Sequence, residues 1–239
     1  MEDKSDQTIA NLEESCIIQE FNNTNKDFLI FKKDNMIGLQ SIKHKNWLPF
    51  FIDFSSNNFI RRKNQASSQE IIKAIGIKNN LPLKVLDTTA GQGRDSFVLA
   101  SLGCSVTLLE RNKVIYLLLK NAIKNAKNID QLKNVVKNMS VINQDSVEFL
   151  EYNKNFFDVI YIDPMFPESN KSRLVKKDMQ IFREIVGNDS DSSKILVSAF
   201  KSNTKRIVVK RMNKSDFLDD KKPNFSIKGT SIRFDVYIK

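Results

Sequence analysis

The sequence predicts an α/β fold built on a doubly wound, mostly parallel sheet. Two observations support this prediction. Short apolar runs typical of buried strands alternate with amphipathic helical stretches through most of the chain. Polar loops that contain glycine or a carboxylate follow directly after several of these strands, where such sheets bind their ligands. A length of 239 residues and a hydrophobic content of 41% are sufficient for one large packed domain.

The strands predicted for the sheet are rich in branched and aromatic residues. In chain order they are "LKVLD", "SVTLLE", "MSVIN", "FDVIYI", "KRIVVK" and "SIRFDVYI". The segments with helical spacing are "SQEIIKAIGI", "GRDSFVLASLG", "KVIYLLLKNAIKNAK", "SVEFLEY", "VKKDMQIFREIV" and "SSKILVSAF".

The first part of the chain has a different pattern. Residues 1–65 contain short mixed runs such as "DFLIF", "MIGLQ" and "LPFFIDF", which are more typical of strands than of helices. We therefore predict a small N-terminal α+β portion at residues 1–66, followed by the main domain at residues 67–239.

The charge of the chain is +10, and it is unevenly distributed. Residues 31–64 hold seven basic and two acidic side chains, and residues 201–239 hold eleven and four. Such basic surfaces attract nucleic acid, although a solvated face in a lysine-rich protein is an equal alternative. Lys210 and Arg211 end a predicted strand at the ligand-binding edge, so we expect them to contact RNA phosphates.

Composition also excludes several classes of protein. Two cysteines and one histidine are too few for a zinc site of Cys and His, and no metal is expected. Cys16 and Cys104 are predicted to be buried free thiols. The polar, acidic start does not resemble a signal peptide, and no apolar run reaches membrane-spanning length. The expected location is the cytoplasm, without a membrane partner.

Loops after the first three predicted strands indicate a site for an adenosine. In "DTTAGQGRD", Gly91 and Gly93 allow a tight turn and close approach to a ligand at the start of a helix. Glu110 ends the second strand and is placed to accept both ribose hydroxyls. Asp145 and Ser146 follow the third strand and are placed to reach an adenine edge. Asp145 has the alternative role of capping the helix "SVEFLEY".

Two residues at the start of the first loop's helix favour one adenosine ligand over another. The third glycine of a dinucleotide-binding fingerprint is replaced here by Ser96. Arg94 and Asp95 precede it, and this cation and anion suit the carboxylate and ammonium of an amino-acid tail. The predicted cofactor is therefore S-adenosylmethionine rather than a nicotinamide dinucleotide.

The fourth strand ends in "VIYIDPMFP", which suggests chemistry on a nucleobase amine. The lone pair of such an amine is delocalised into the ring, so a site must hold it toward the methyl donor. The Asp163 carboxylate can accept one N–H, and the carbonyl oxygen of Pro164 can accept the other. Phe166 offers a face on which an extruded base can stack. An alternative is that this loop is only rigid, with Phe166 in the core.

The same segment resembles the Asp/Asn-Pro-Pro-aromatic motif of amino-group methyltransferases, with Met165 in place of the second proline. Longer strings are similar to the RsmJ family of bacterial small-subunit ribosomal RNA methyltransferases. They include "LDTTAGQGRDSFVLASLGCSVTLLER", "DPMFPESNKSRLVKKDMQIFREIVG" and "KRIVVKR". That family methylates the exocyclic N2 amine of a guanine in 16S ribosomal RNA with S-adenosylmethionine.

The resemblance implies a class I methyltransferase domain with a Rossmann-like sheet, acting on ribosomal RNA or an assembled subunit. It implies cofactor contacts at Arg94, Asp95, Glu110, Arg111, Asp145, Ser146 and Asp163, besides the glycine loop at Gly91. Two alternatives remain open. One is a non-catalytic RNA-binding or ribosome-assembly protein on the same fold. The other is an amino-methyltransferase that acts on DNA adenine or on a protein glutamine.

Overall fold

The structure is a computed structural model that describes residues 4–66, 70–78, 82–153, 155–164, 177–187 and 191–239. The N-terminal portion contains helix α1, a β1–β2 hairpin and helix α2. Their bounds are Lys4–Thr24 (α1), Phe28–Lys33 (β1), Met36–Ser41 (β2) and Asn57–Asn64 (α2).

The rest of the chain alternates between helices and strands. In chain order these elements are α3 (Glu70–Ile75), β3 (Lys84–Asp87), α4 (Arg94–Ser101), β4 (Ser105–Leu109), α5 (Lys113–Ala126), α6 (Asp130–Val136), β5 (Met139–Ile142), α7 (Ser146–Tyr152), β6 (Val159–Ile162), α8 (Lys177–Val186), α9 (Ser192–Lys201), β7 (Arg206–Met212), β8 (Phe225–Lys228) and β9 (Ile232–Ile238).

Seven strands form the central sheet in the order β5-β4-β3-β6-β7-β9-β8. The five strands from β5 to β7 are parallel, and β9 pairs antiparallel with both β7 and β8. The order reverses between β3 and β6, so the loops after these two strands open into a crevice. The predicted doubly wound, mostly parallel sheet is confirmed.

All six strands that the sequence predicts for this sheet are present. The prediction missed β8 and helix α6. β8 is an edge strand of four residues in which none is fully buried, so its sequence lacks the apolar run that marks the central strands. α6 has only seven residues, which is too short for helical periodicity to be clear in the sequence.

The expectation that the N-terminal portion is mainly strand-like was wrong in part. The β1–β2 hairpin exists, but α1 is a helix of 21 residues and α2 is also helical. The segment "LPFFIDF" forms no strand beyond an isolated bridge between Leu39 and Phe50. α1 is held by tertiary contacts, since Phe21 packs against the core and Lys120 pairs with Glu13 at 2.8 Å. Such contacts are not visible in a local pattern.

An aromatic cluster joins the N-terminal portion to the sheet domain. The Phe54 ring stacks on Phe97 of α4, with ring centres 5.0 Å apart, and Phe59 of α2 packs edge-on against both rings. All three side chains are buried. The division of the chain at residue 66 stays a prediction, but the core is continuous across it.

Two further expectations concern burial. Cys104 is a buried free thiol, as predicted, whereas Cys16 is exposed on α1, so the prediction for Cys16 was wrong. In the ranges described above, no helix combines the length and the apolar character that crossing a membrane requires.

The aromatic cluster leads to a test of how the N-terminal portion contributes to stability. Phe59→Ala removes a side chain that is 6% exposed, and it should lower the free energy of unfolding by roughly 3–5 kcal/mol in urea titrations. Phe225→Ala is the matched control, because Phe225 is 43% exposed and should cost less than about 1 kcal/mol. An unchanged main transition in Phe59→Ala would show that α2 unfolds independently of the sheet.

Candidate active site

A cavity of about 380 Å³ lies at the carboxyl ends of β3, β4, β6 and β7. This volume is within the range of small-molecule sites. Side chains at its wall range from apolar to charged, and the apolar ones include Leu109, Phe182, Val186 and Ile195.

The loop between β3 and α4 forms one wall of the cavity through two glycines in the left-handed backbone region. Gly91 has φ +52° and Gly93 has φ +69°. A Cβ atom on Gly91 would lie 3.2 Å from Cζ of Phe182, and one on Gly93 would lie 3.0 Å from Cδ2 of Leu119. Glycine is therefore required at both positions for conformation and for space.

Glu110 follows β4 and fixes the glycine loop. Its carboxylate is buried and accepts hydrogen bonds from the backbone N–H of Gly91 at 3.1 Å and of Asn112 at 2.8 Å. Each bond occupies a different oxygen, and a carboxylate has about four lone-pair positions. Glu110 thus stabilises the loop and still presents acceptor capacity at the cavity wall.

Asp145 and Ser146 lie at the cavity next to β5, and both also make hydrogen bonds that stabilise the local backbone. Oδ1 of Asp145 accepts from the backbone N–H groups of Val147 at 2.9 Å and Glu148 at 3.2 Å, which caps α7. Its Oδ2 lies 4.0 Å from Nη1 of Arg111. The Ser146 hydroxyl donates to the Thr88 carbonyl at 2.6 Å. The capping alternative for Asp145 is therefore correct, and the residue still lines the cavity.

Asp95 is the centre of a charged cluster at the other end of the cavity. One of its oxygens pairs with Arg62 of α2. The other accepts from Nζ of Lys210 at 2.8 Å and from the Tyr161 hydroxyl at 2.7 Å. Burial raises the pKa of Asp95, but the positive charges of Lys210 and Arg62 outweigh it and lower that pKa to about 2.

Asp163 directly follows β6 and shares Lys210 with Asp95. Its Oδ2 lies 2.8 Å from Nζ of Lys210, and its backbone N–H donates to Oγ1 of Thr89 at 2.6 Å. Burial and the nearby charge of Asp95 raise the pKa of Asp163, against the opposing effect of Lys210. The adjoining Pro164 is buried and also lines the cavity.

Asp87, the last residue of β3, is a third carboxylate in this region. It accepts from the Ser96 hydroxyl at 2.5 Å and from the backbone N–H of Thr89 at 3.1 Å. Burial is the main reason that its pKa is raised to about 7, and the hydrogen bonds only partly offset it. Asp87 therefore keeps its proton at acidic pH values at which an exposed aspartate is ionised.

Comparison with known proteins identifies this arrangement. The family model described as "Putative SAM-dependent methyltransferase" matches residues 12–239. Ribosomal RNA small subunit methyltransferase J of Haemophilus influenzae (strain PittGG) is 34% identical to this chain, covering 99% of the chain and 93% of that relative. The protein of the same name from Coxiella burnetii (strain RSA 331 / Henzerling II) is 39% identical, covering 91% and 85%. The chain belongs to this methyltransferase family.

A solved structure supports the fold assignment. The crystal structure of a SAM-dependent methyltransferase from Neisseria gonorrhoeae matches this chain with a TM-score of 0.71 and 28% identity, covering 90% of this chain and 84% of that one. The predicted resemblance, the class I methyltransferase fold, the enzyme class and S-adenosylmethionine as methyl donor are confirmed.

Within this methyltransferase, the structure brings nine of the ten predicted site residues to one cavity. They are Gly91, Arg94, Asp95, Glu110, Arg111, Asp145, Ser146, Asp163 and Pro164. Phe166, the predicted stacking residue, lies outside the described residues. The individual roles of all ten stay predictions.

The three side chains that contact Asp95 were missed or given another role in the prediction from sequence. Lys210 was expected to contact RNA phosphates, but its side chain is 19% exposed and its ammonium lies between two carboxylates. Tyr161 lies in the predicted strand "FDVIYI", where it is buried, and its hydroxyl donates to Asp95. Arg62 comes from the N-terminal portion. Lys210, like Asp163, lies near the carboxyl end of a strand, and its sequence position therefore indicates a place at the cavity. Nothing in the sequence around Arg62 indicates that its side chain reaches the cavity.

The residues present fit S-adenosylmethionine. Gly91 keeps open a space beside Phe182 that a Cβ would enter. Glu110 provides a buried carboxylate for hydroxyl groups, and Leu109 and Ile195 provide apolar walls for a flat base. The cluster of Arg62, Asp95, Lys210 and Asp163 provides both signs of charge for a zwitterionic tail.

The contacts of Glu110 give a test of cofactor binding. Glu110→Ala should weaken S-adenosylmethionine binding by roughly 1.5–3 kcal/mol, as expected for the loss of hydrogen bonds to a charged group. Glu110→Gln keeps one acceptor oxygen and should lose less. Isothermal titration calorimetry measures both, with circular dichroism to establish folding. Unchanged affinity in folded Glu110→Ala would contradict the assignment.

The raised pKa of Asp87 predicts a pH-dependent stability. Between about pH 4 and pH 7 the folded state keeps a proton that the unfolded state has released, so stability falls as pH rises through this window. Asp87→Asn removes the buried charge and should be more stable than the wild type by up to roughly 4 kcal/mol above pH 7, and similar to it near pH 4.

Urea titrations without cofactor from pH 4 to pH 9 measure this difference. Asp130→Asn is the control, because the Asp130 side chain is 97% exposed and its replacement should produce no such trend. A constant difference between Asp87→Asn and the wild type at all pH values would show that Asp87 keeps an ordinary pKa.

Proposed function

We propose that this methyltransferase modifies the exocyclic N2 amine of a guanine in small-subunit ribosomal RNA, in the cytoplasm. S-adenosylmethionine supplies the electrophilic methyl group. The proposal is supported by the names of the relatives, which are ribosomal RNA small subunit methyltransferases, and by the cavity chemistry described above. Naked RNA and an assembled subunit are both suitable substrates for a basic protein of charge +10.

The observation on which the proposal rests is the position of Asp163. Its carboxylate is held at the cavity wall by Lys210, and its backbone N–H is fixed by Thr89. A carboxylate that accepts a hydrogen bond from an N–H of an aromatic amine fixes the orientation of that amine and therefore of its nitrogen lone pair. The neighbouring Pro164 restricts the backbone, so its carbonyl is suited to accept the second N–H. As the nitrogen takes the methyl group, the bond between that methyl carbon and sulfur would break and leave a neutral thioether. The nitrogen would then lose one N–H proton, which the ionised Asp163 carboxylate can accept.

We propose separate cofactor roles for the remaining residues. Glu110 accepts the ribose hydroxyls, while Asp145 and Ser146 border the adenine. Arg94 and Asp95 contact the amino-acid tail, and the Gly91 loop allows close approach of the backbone. Arg111 lies between Asp145 and Asp191, 2.6 Å from the latter, and would close the adenine end of the cavity.

We also propose that residues 1–66 form a small portion that contacts RNA and contributes to the catalytic cavity. Two neighbouring arginines near the end of this portion have different roles. Arg61 is exposed and available to a phosphate, whereas Arg62 enters the cavity to pair with Asp95. RNA contact and cofactor binding therefore meet on one short helix.

Mass spectrometry of ribosomal RNA is the direct test of this function. RNA from cells that lack the protein should miss one N2-methylguanosine, and purified protein with S-adenosylmethionine should restore it. Restoration with intact subunits but not with naked RNA would identify the substrate form. Methylation of DNA adenine or protein glutamine instead, or no methylation of any substrate, would contradict the proposal and favour one of the two alternatives.

Asp163 provides a test of the chemistry. Asp163→Ala removes the acceptor and should slow single-turnover methyl transfer by at least about a hundredfold at saturating cofactor. Asp163→Asn keeps an acceptor oxygen, so measurable activity is expected if positioning dominates over charge. The exposed carboxylate of Asp130 provides the control, and Asp130→Asn should retain the wild-type rate. A near-normal rate in Asp163→Ala would place the amine elsewhere.

A further inference from the structure

Lys210 occupies an unusual position for a lysine in a strongly basic protein. It lies near the carboxyl end of β7, and its side chain is 19% exposed. Its ammonium group contacts two carboxylates at once, at 2.8 Å from Oδ2 of Asp95 and 2.8 Å from Oδ2 of Asp163. The ammonium thus connects the start of α4 to the segment after β6.

We propose that Lys210 is a positioning residue for methyl transfer, which holds the Asp163 carboxylate ionised and turned so that one oxygen remains for the substrate amine. This inference rests on the proposed role of Asp163 as the acceptor. Lys210 then acts by orienting the Asp163 carboxylate rather than by binding an RNA phosphate.

The geometry divides the two oxygens of Asp163 between separate tasks. Oδ2 is engaged by Lys210, and the fixed backbone of Asp163 limits where the side chain can turn. No residue in the described ranges donates a hydrogen bond to Oδ1 of Asp163. A carboxylate anchored through one oxygen presents the other in a defined direction, which lowers the entropic cost of aligning a substrate.

Charge balance explains why this task needs a cation between the two acids. Charged or titratable groups from five elements surround Asp163. They are Arg62 of α2, Asp87 at the end of β3, Asp95 of α4, Tyr161 of β6 and Lys210 of β7. Arg62 contacts Asp95 directly, so Lys210 is the cation in direct contact with Asp163 among the described residues.

Removal of Lys210 would leave two nearby carboxylates in a largely buried site. Burial and Asp95 already raise the pKa of Asp163, and Lys210 opposes this rise. Without Lys210, Asp163 would take up a proton at a higher pH, and a protonated carboxyl offers a donor where the amine needs an acceptor. The loss should therefore be largest at low pH and should shrink as pH rises.

The experiment compares the wild type with Lys210→Met, Lys210→Gln and Lys210→Arg. Single-turnover methylation is measured against pH at saturating cofactor and RNA. In the two neutral variants, the pH below which the rate falls should rise by at least about one unit. At pH values below that point, this shift is a tenfold loss of rate. Lys210→Arg should stay close to the wild type. Lys205→Met is the matched control, because Lys205 is exposed and directly precedes the same strand, at the end opposite to Lys210. It should leave the profile unchanged.

A second measurement reads the same coupling without RNA. Carbon-13 NMR follows the aspartate carboxyl groups against pH, and the Asp163 signal is the one that disappears in Asp163→Asn. Its titration should move upward in Lys210→Gln. Asp95 and Asp163 are close enough for their titrations to be coupled. Spectra of Asp95→Asn, recorded in parallel, show the titration of Asp163 without that coupling.

The outcomes separate this inference from the proposed function. A pH-independent loss of rate in the neutral variants, or an Asp163 titration that does not move, would overturn the positioning role and leave Lys210 as a structural ion pair. A shifted acid limb together with a shifted titration supports it. If the wild type does not methylate RNA, the proposed function fails, and the NMR titration still decides whether Lys210 controls Asp163.

Discussion

The buried carboxylate of Asp95 connects parts of the chain that are far apart in sequence. It pairs with Arg62 from the N-terminal portion, with Tyr161 of β6 and with Lys210 of β7, while its own backbone begins α4. A charge in such a position is several kcal/mol less favourable than in water unless each partner is in place. Loss of Arg62 or Lys210 leaves negative charge uncompensated, so α2, the start of α4 and the end of β7 depend on one another.

This dependence fixes the groups that line the cavity. Gly91 is held by Glu110, Asp163 is held by Thr89, and both acids near Lys210 keep fixed positions. The arrangement has a cost in stability, which is visible in the raised pKa values of Asp87 and Asp163. Perturbed carboxyl groups clustered in a cleft are typical of sites that are selected for chemistry rather than for stability.

Sequence reasoning performed best where one local rule is sufficient. Residues that directly follow parallel strands must meet at one edge of the sheet, and this rule alone placed Glu110, Asp145 and Asp163 together. The same reasoning performed poorly for α1, whose helix is stabilised by packing of residues such as Phe21 against the core. The same rule places Lys210 at the ligand-binding edge, but its ion pairs with Asp95 and Asp163 depend on tertiary packing and are not visible in the sequence.

The amino-acid sequence by itself determined the alternation of strands and helices, the glycine turn and the set of acids at the strand ends, because these depend on neighbours a few residues apart. Its similarity to known proteins also determined the enzyme family. Only the tertiary structure decided which charges pair. Whether Lys210 faces solvent or two carboxylates, and whether Arg62 reaches Asp95, depends on the packing of β7 and α2 around α4. Arg62 and Asp95 are 33 positions apart in the chain, and Asp95 and Lys210 are 115 apart, so no local pattern encodes these contacts.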